Sequence, residues 1–509
     1  MGWLVTYKII TIFVLAILIL PASNVFAFFN GQAATVVVGQ GTFTTGTVGT
    51  TATTLFAART SAFDSAGNLW VVDTNNNRVL KYAAPITTGE AATVVVGQGS
   101  FTTNTAGTTA TTLFTPTGIS FDSAGNLWVV DFGNNRVLEY AAPITTGEAA
   151  TVVLGQAGFT TGTVGTSATT LFTPNGISFD SAGNLWVVDS GNNRVLKYAA
   201  PITTGEAATV VIGQGSFTGA TPGTTSTTFH LPNGISFDSA GNLWVTDEFN
   251  NRVLEYPAPI KTGEAATVVV GQAGFTTGTF GTTATTLSSP RTSAFDSAGN
   301  LWVADRDNNR ALEYAAPITT GEAATVVIGQ GSFTTNTFGT TATTLNSPLG
   351  ISFDSTGNLW VADPGNHRVL KYPATISQVT GQVTLIANTC GINIVSGAPI
   401  NYGSLTSGTI STEQTVLLQN TGTASGTLLV HGGDWLDVSS TSQMLVGSTK
   451  FSVTSGTYAS KTALTTSDQT VGTINPTPNL STFWQLQANP LSSSFSGSLT
   501  QTVTFSNSC

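Results

Sequence analysis

Short apolar runs alternate with short polar turns along most of the chain. In one stretch the runs are Gly118–Asp122 (GISFD), Asn126–Asp131 (NLWVVD), Arg136–Tyr140 (RVLEY) and Thr151–Gln156 (TVVLGQ). Runs of this length that are rich in Val, Ile, Phe and Tyr and bounded by Asp, Gly, Asn and Ser are typical of β-strands. The segments DSAGN and FGNN between the first three runs supply turn-forming residues. The pattern therefore predicts a unit of four short strands joined mainly by tight hairpins.

This unit occurs six times at a spacing of 58 residues, as its tryptophan shows at Trp70, Trp128, Trp186, Trp244, Trp302 and Trp360. Four-stranded units in radial repetition form the blades of a β-propeller, whereas an open solenoid needs polar capping repeats, which the sequence lacks. The run Thr35–Gln40 has the sequence of a fourth strand and precedes the first copy. The sixth copy loses the pattern after its third strand, which ends at Tyr372. We therefore expect the N-terminal strand to complete the last blade and close the ring.

The repeats also carry a family resemblance. The segment Pro116–Tyr140 (PTGISFDSAGNLWVVDFGNNRVLEY) resembles an NHL repeat, and the sixth copy keeps Asn366-His367-Arg368-Val369-Leu370. The resemblance extends over residues 30–375 and is to the exported microbial type, with an AAPITTGEAA linker before each fourth strand. It implies an all-β chain with a six-bladed NHL-type propeller. Because such propellers serve as protein- or RNA-binding platforms and a few relatives are lyases or lactone hydrolases, the resemblance implies no single function.

The first 27 residues have the features of a secretory signal peptide. A single Lys precedes the apolar run Ile9–Leu20, and the small residues Val25 and Ala27 occupy the positions expected before a cleavage site. The run is short for a membrane span, although an uncleaved N-terminal anchor is an alternative. We expect a secreted or cell-surface protein with no membrane span unless the signal segment is retained.

Residues 377–509 lack the repeat and form a second predicted domain. Alternating runs such as Gln382–Ala387 and Ser498–Phe505, separated by Gly, Asn and Ser, predict an antiparallel β-sandwich of immunoglobulin-like type. Cys390 and Cys509 both lie here, in a chain that we expect to be exported, so we predict a disulfide between them. A free or intermolecular thiol is the alternative, and it would allow self-association through the C-terminal domain.

The composition excludes several functions. The chain has 16 Lys and Arg against 26 Asp and Glu, for a net charge of −10, so we expect no nucleic-acid binding. Three His and two Cys exclude multi-metal clusters, and a three-histidine zinc site in the propeller is excluded because only His230 and His367 lie there. We expect no cofactor, although a calcium site built from Asp and Asn, as in lactonase-like relatives, stays open.

Two residues of opposite charge recur in every repeat and face each other across the hairpin of the second and third strands. We interpret them as a structural ring, because a scaffold needs a repeated geometry and a binding site needs a unique one; a charged mouth for an anionic ligand is the alternative. The DSAGN segments are interpreted as turns, since each has one carboxylate where a calcium loop has several. The ring consists of Asp73, Asp131, Asp189, Asp247, Asp305, Asp363, Arg78, Arg136, Arg194, Arg252, Arg310 and Arg368.

Positions at which the copies differ are the candidates for a specific site. The loops that follow the second and fourth strands of a blade emerge on the same face, and long loops of this kind often carry function. The candidate ligand-binding residues are Phe132, Glu248, Phe249, Arg306 and Asp307 on the rim, Arg59 and Arg291 at the start of the innermost strand, and His230, which no other copy shares.

The sequence assigns no catalytic residue. Its poverty in His, Cys and clustered carboxylates favours an exported, non-enzymatic binding or scaffold protein that presents a propeller face to a protein or glycan ligand. The first alternative is a propeller enzyme, either a calcium-dependent lactonase-like hydrolase or a lyase, with a metal in the axial channel. The second is a self-assembling envelope component.

Overall fold

The computed structural model describes residues 26–376 without a gap and, beyond them, the strands that lie between Gly381 and Ser508. The described chain divides into two compact units, Phe26–Thr375 and a unit that begins at Ile376. Residues 1–25 of the predicted signal segment lie outside the described residues, as do Cys390 and Cys509. The signal peptide and the disulfide therefore stay predictions.

The first unit is an all-β propeller of six blades, each a four-stranded antiparallel sheet in chain order. Blades 1 to 3 consist of Ala58–Phe63, Leu69–Asp73, Arg78–Tyr82 and Val94–Val96; Pro116–Phe121, Leu127–Asp131, Arg136–Tyr140 and Val152–Leu154; and Pro174–Phe179, Leu185–Asp189, Arg194–Tyr198 and Val210–Ile212. Blades 4 and 5 consist of Pro232–Phe237, Leu243–Asp247, Arg252–Tyr256 and Val268–Val270; and Pro290–Phe295, Leu301–Asp305, Arg310–Tyr314 and Val326–Ile328.

Blade 6 is completed by the N-terminus, as the repeat pattern predicts. Its first three strands are Gly350–Phe353, Leu359–Asp363 and Arg368–Tyr372, and its fourth is Val36–Val38, which pairs antiparallel with Arg368–Tyr372. Just before it, Asn30 Oδ1 accepts a hydrogen bond of 2.9 Å from the backbone N–H of Val327 in blade 5. In other blades the equivalent N–H donates to a threonine hydroxyl in the linker that leads to the fourth strand of the next blade. Asn30 takes the place of that threonine in front of Val36–Val38. A short strand pair, Phe26–Ala27 with Thr375–Ile376, adjoins this closure.

The core of the propeller lies between the blades. Each repeated tryptophan is at most 2% exposed. Trp70 packs edge-on against Phe121 of the next blade, with ring centroids 5.8 Å apart, and Trp128 packs in the same way against Phe179. The indole Nε1 of Trp70 donates to Asp64 Oδ2 over 3.0 Å, so the polar edge of the buried ring is satisfied. The tryptophans therefore join blades and present no exposed platform.

The DSAGN segments are turns held by their own carboxylate. Asp64 Oδ1 accepts the backbone N–H groups of Ala66 and Asn68, each at 3.0 Å, while Oδ2 accepts the indole of Trp70. These bonds lower the pKa of Asp64 even though burial acts to raise it. Within the described residues no group of three or more His, Cys, Asp or Glu side chains is placed to hold a metal ion.

Short 3₁₀ helices follow the second strand of every blade and are the helices of the described part of the chain. Each ends at a residue in the left-handed conformation, with φ of 51° at Asn77 and 55° at His367. None of the described helices is long and apolar enough to cross a membrane. The six helices are Thr74–Asn76, Phe132–Asn134, Ser190–Asn192, Glu248–Asn250, Arg306–Asn308 and Pro364–Asn366.

The described strands of the second unit form a seven-stranded and a five-stranded sheet. The first contains Gly381–Ala387, Ile400–Asn401, Gly426–Gly432, Trp435–Leu436, Gln443–Met444, Gln469–Ile474 and Leu499–Ser508. The second contains Ile392–Ser396, Gln414–Asn420, Thr449–Ser452, Thr462–Ala463 and Leu480–Leu486.

One strand pair departs from the antiparallel arrangement expected for residues 377–509. Gly381–Ala387 pairs parallel with Leu499–Ser508, while the other pairings in both sheets are antiparallel. These two strands stand near opposite ends of the domain sequence, so no tight hairpin forces them to run in opposite directions. The immunoglobulin-like sandwich as a whole depends on side chains outside the described residues and stays a prediction.

Candidate functional site

The six repeated Asp–Arg pairs lie inside the propeller. The Nε atom of each arginine is 2.7–2.8 Å from Oδ2 of its aspartate, and both side chains of every pair have 0% exposure. In blade 1, Arg78 Nη2 also donates to the carbonyl oxygens of Thr51 and Thr54, and Nη1 donates to the carbonyl of Phe101. Asp73 in turn accepts the backbone N–H of Phe56 at 2.6 Å. Each pair thus pins the long Thr-rich loops to its own hairpin, and every guanidinium nitrogen is used.

The first strands of the blades line the axis of the ring. The Thr60 hydroxyl donates to the Thr117 carbonyl of the next blade over 2.8 Å. A Cβ on Gly118, the equivalent of Thr60, would lie 2.5 Å from the carbonyl oxygen of Asn175, so the neighbouring strands touch there. The residues that precede Thr60, Gly118 and their equivalents in the other blades together form a ring at one end of the axis. They differ between blades: Arg59, Thr117, Asn175, Asn233, Arg291 and Leu349.

A second variable position meets this ring at the end of the first hairpin of each blade. In blade 4 the first and second strands pair as far as Pro232 and Asp247, and the side chains of the residues that follow these two, Asn233 and Glu248, are in contact. The Asn233 amide donates to Glu248 Oε2 over 3.0 Å. The residue at this second position is again different in each blade: Thr74, Phe132, Ser190, Glu248, Arg306 and Pro364.

Blades 4 and 5 combine their variable residues into a cluster of ion pairs. Glu248, 6% exposed, receives Arg291 Nη1 at 2.7 Å on Oε2 and Arg306 Nη1 at 3.1 Å on Oε1. Arg306 also binds the neighbouring Asp307 through two nitrogens, at 2.6 and 3.1 Å. Glu248 is therefore shared by two arginines of the following blade.

Arg59 reaches the cluster from across the ring. Its Nη2 donates to Oδ1 of Asn175 over 2.7 Å, and these residues belong to blades 1 and 3, which are not neighbours. Its guanidinium interacts electrostatically with Glu248 and Arg306. Arg59 thus extends over the axis itself. We name the set Glu248, Arg291, Arg306, Asp307 and Arg59 the axial cluster.

Burial shifts the pKa values of the axial cluster. Loss of hydration raises the pKa of Glu248 to about 7, although the charges of Arg306 and Arg59 and the Asn233 hydrogen bond favour the ionised form. The same loss of hydration lowers the pKa of Arg59 to about 10, against the attraction of Glu248. The pKa of the more exposed Asp307 is lowered, because the hydrogen bonds from Arg306 and Ser289 outweigh its partial burial. The cluster therefore contains a carboxyl group that changes charge near neutral pH.

A cavity of about 300 Å³ adjoins Asp307. Ser288 in its lining stands where blades 1 to 3 have phenylalanine, and Asp307 stands where blade 2 has Gly133, over which Phe114 packs. The exposed rings of Phe249 and Phe280 border the cavity. The lining residues are Phe249, Asn251, Phe280, Ser288, Ser289 and Asp307.

The remaining candidates fall into two places. His230 borders the same sector, since its ring centroid is 5.1 Å from that of Phe249 and its carbonyl accepts the Phe249 N–H. Phe132 opens the equivalent turn of blade 2, two blades from Glu248, and lies outside the axial cluster and the cavity. His367 takes the part that asparagine plays in other blades, because its Nδ1 accepts the Ala57 N–H at 3.1 Å as Asn77 Oδ1 accepts that of Thr115.

The structure thus brings together seven of the eight candidate residues. It adds Asn175, Asn233 and Ser288, which the sequence comparison passed over. The signal for the asparagines was present, since they occupy the position of Arg59 and Arg291 in their own blades. Ser288 was marked by the loss of the phenylalanine found in blades 1 to 3.

The fold and this cluster define a six-bladed β-propeller with one sector in which charged, non-repeated residues meet. Residues 115–140, 173–198 and 345–372 match the family model described as NHL repeat, so the propeller carries NHL repeats. No curated protein matches the chain.

Solved structures of low sequence identity resemble the chain. A streptogramin B lyase is 14% identical, covers 62% of this chain and 92% of its own, and has a TM-score of 0.38. Virginiamycin B lyase from Staphylococcus aureus is 17% identical, with 61% and 78% covered and a TM-score of 0.36. An auxiliary nutrient binding protein from Bacteroides ovatus is 13% identical, with 68% and 76% covered and a TM-score of 0.45. At these identities and TM-scores the likeness gives no activity for this chain.

Proposed function

We propose that this chain is an exported binding protein whose propeller takes a ligand at the blade 4–5 sector of its loop face. One observation carries the proposal: among the residues that differ from blade to blade at the two variable positions, the charged ones converge there. Glu248, Phe249, Ser288, Arg291 and Arg306 come from three separate segments and meet within one ion-pair cluster and its adjoining cavity. Drift between copies would scatter such departures around the ring.

The sector is also built rigidly. Glu248 and Arg306 each follow directly a buried aspartate of a structural pair, Asp247 and Asp305, whose ion pairs to the third strand are 2.8 and 2.7 Å long. Residues held by such supports keep the geometry that specific binding requires. The repeated framework therefore positions the non-repeated side chains.

The cavity has the composition of a ligand site. Phe249 and Phe280 are 54% and 79% exposed, and they stand beside the polar side chains of Asn251, Ser288 and Asp307. Exposed aromatic surface next to a few polar groups is typical of binding sites. A glycan or a small part of a protein partner fits a volume of about 300 Å³.

A propeller enzyme is the second candidate, and Glu248 is the observation in its favour. A carboxyl group with a pKa of about 7 is suited to general acid–base catalysis at neutral pH. In a hydrolase or lyase of this kind Glu248 would move the proton while the arginines stabilise negative charge. A calcium-dependent version predicts stoichiometric metal in the purified protein, and elemental analysis tests it.

A self-assembling envelope component is the third candidate and rests on the C-terminal domain alone. Cys509 lies outside the described residues, so the sequence is its support. Size measurement with and without a reductant tests it, and a monomer under both conditions contradicts it.

A binding screen with matched variants tests the main proposal. The full-length mature protein is screened against a glycan array and a small-molecule library, then each hit is measured again with Phe249→Ala and with Phe132→Ala. We expect Phe249→Ala to weaken binding about tenfold or more, since buried aromatic contacts are worth a kcal/mol or more, and Phe132→Ala to leave it unchanged. Equal binding by both variants, or no hit in either collection, contradicts the proposal.

A further inference from the structure

Two arginines of the axial cluster differ from the fully buried arginines of the structural pairs. In the structural pairs every guanidinium meets an aspartate and several carbonyl oxygens. Arg59 instead has no carboxylate within ion-pair distance among the described residues, and its side chain donates to the neutral Asn175 amide. Arg291 has Glu248 as its ion-pair partner, but its Nε is buried without a hydrogen-bond partner in the described structure. Both residues therefore retain donor capacity at the axis.

The charges of the cluster do not cancel. Arg59, Arg291 and Arg306 carry three positive charges, while Glu248 and Asp307 carry at most two negative ones, so the balance is at least one positive charge. Arg306 is the best neutralised, because it binds both carboxylates. A partly buried cation without a counter-ion is costly, and a buried donor without an acceptor adds to that cost. The excess positive charge therefore belongs to Arg59 and Arg291, which are the neighbours of Leu349 in the ring of first-strand residues around the axis.

We propose that the ligand of this site carries a carboxylate and that Arg59 and Arg291 bind it. The inference rests on the proposed function, and it names the chemical class that the site selects. The site already displays the required geometry, because the Glu248 carboxylate forms ion pairs of 2.7 and 3.1 Å with Arg291 and Arg306 and accepts a hydrogen bond of 3.0 Å from the Asn233 amide. Arginine presents parallel N–H groups that match a carboxylate. While Glu248 is ionised, a single negative charge balances the excess positive charge, whereas a phosphate dianion would exceed it.

The part of the ligand that does not carry the carboxylate has room in the cavity beside Asp307. Arg306 bridges Glu248 and Asp307, and Asp307 lines the cavity beside Phe249. A ligand held at the axis by its carboxylate can therefore place an apolar or hydroxylated ring near the phenylalanines. Leu349, between the two arginines in the ring, adds an apolar contact at the axial end.

Calorimetry with matched probes tests the inference. Benzoate, D-glucuronate and acetate are compared with benzamide, D-glucose, acetamide and inorganic phosphate, using the full-length mature protein near neutral pH at low ionic strength. We expect a ring-bearing carboxylate to bind at least about tenfold more tightly than its neutral counterpart and than phosphate, since a charge-assisted hydrogen bond is stronger than a neutral one.

The ring itself supplies the variants. Asn occupies the position of Arg59 and Arg291 in blades 3 and 4, so Arg59→Asn and Arg291→Asn are compatible with this fold. Each is expected to reduce carboxylate affinity at least about tenfold while leaving the melting temperature close to that of the parent protein. Lys261→Asn, at an exposed cation in a linker, is the control and is expected to bind as the parent does.

The outcomes separate the inference from the function on which it rests. Neutral or cationic ligands that bind at the sector, with carboxylates no tighter than their neutral counterparts, overturn the inference and leave the binding function standing. Tighter binding of phosphate, or full affinity in folded Arg59→Asn and Arg291→Asn, also overturns it. If no probe and no compound of the wider screen binds, both the inference and the proposed function fall.

Discussion

The propeller contains two kinds of arginine, and the comparison between them separates what holds the ring together from what distinguishes one part of it. The arginines of the structural pairs, such as Arg136, recur in every blade, are fully buried and use every nitrogen. Arg59 and Arg291 occur in two blades, are partly exposed and keep unused donors. A repeated side chain can serve only a repeated purpose, so specificity has to come from the departures.

The largest expected effect is the loss of stability when an arginine of a structural pair is removed. Arg136→Ala leaves Asp131 buried without its counter-ion, and this costs about 3–5 kcal/mol of the free energy of unfolding. Urea denaturation followed by tryptophan fluorescence measures it. Arg59→Asn, which removes one hydrogen bond to Asn175 and no ion pair, is the control and is expected to cost about 1 kcal/mol. Equal losses in both variants would mean that the two kinds of arginine do not differ as described.

The second-largest expected effect is a change of carboxylate affinity with pH. Glu248 faces Arg291 and Arg306 directly, with Arg59, Asp307 and the Asn233 amide nearby, and burial raises its pKa to about 7. Below that pH the carboxyl group is neutral and no longer competes for the arginines. Carboxylate affinity should therefore rise about tenfold, or ~1.4 kcal/mol, between pH 8 and pH 6.

Glu248→Gln is the matched variant for this pH effect. It keeps the shape and a hydrogen-bonding oxygen but does not titrate, so we expect tight binding with little change between the two pH values. Calorimetry with the best carboxylate probe measures both proteins. A parent protein whose affinity is flat over this range, or a variant that keeps the full pH dependence, argues against the assigned part of Glu248.

Filling the cavity gives the smallest expected change in stability. Blade 1 has Phe56 at the position of Ser288 together with Asn75 at the position of Asp307, so Ser288→Phe has a precedent in this fold and the free energy of unfolding should change by about 0.5 kcal/mol or less. Binding of a ring-bearing ligand should be lost, because its place is occupied. Thermal unfolding and calorimetry on the same sample check the two parts. Thr286→Ser in the same loop is a control for binding.

The regular part of the molecule was readable from the sequence because its information is local and repeated six times. The strands, the ring closure by Val36–Val38 and the inter-blade tryptophans all follow from short motifs and their spacing. The six pairs such as Asp131 and Arg136 follow from the hairpin register. The parallel strand at Gly381–Ala387 did not, since nothing local sets its direction.

The candidate site was readable only in part. Differences between copies pointed to Glu248, Arg291 and Arg306, because the repeat supplies its own reference. The contact between Arg59 and Asn175 joins blades that are not neighbours and depends on the width of the axis, which no spacing of residues encodes. The cavity is lined by Ser288, where blades 1 to 3 have phenylalanine, and the sequence does not show which side chains surround that position.

The closure of blade 6 has a consequence for biosynthesis. Val36–Val38 leaves the ribosome early, while its partner Arg368–Tyr372 is made after more than three hundred further residues. Until then the ring has two open sheet edges, which invite pairing with other chains. The propeller therefore cannot complete its fold during synthesis of its first five repeats.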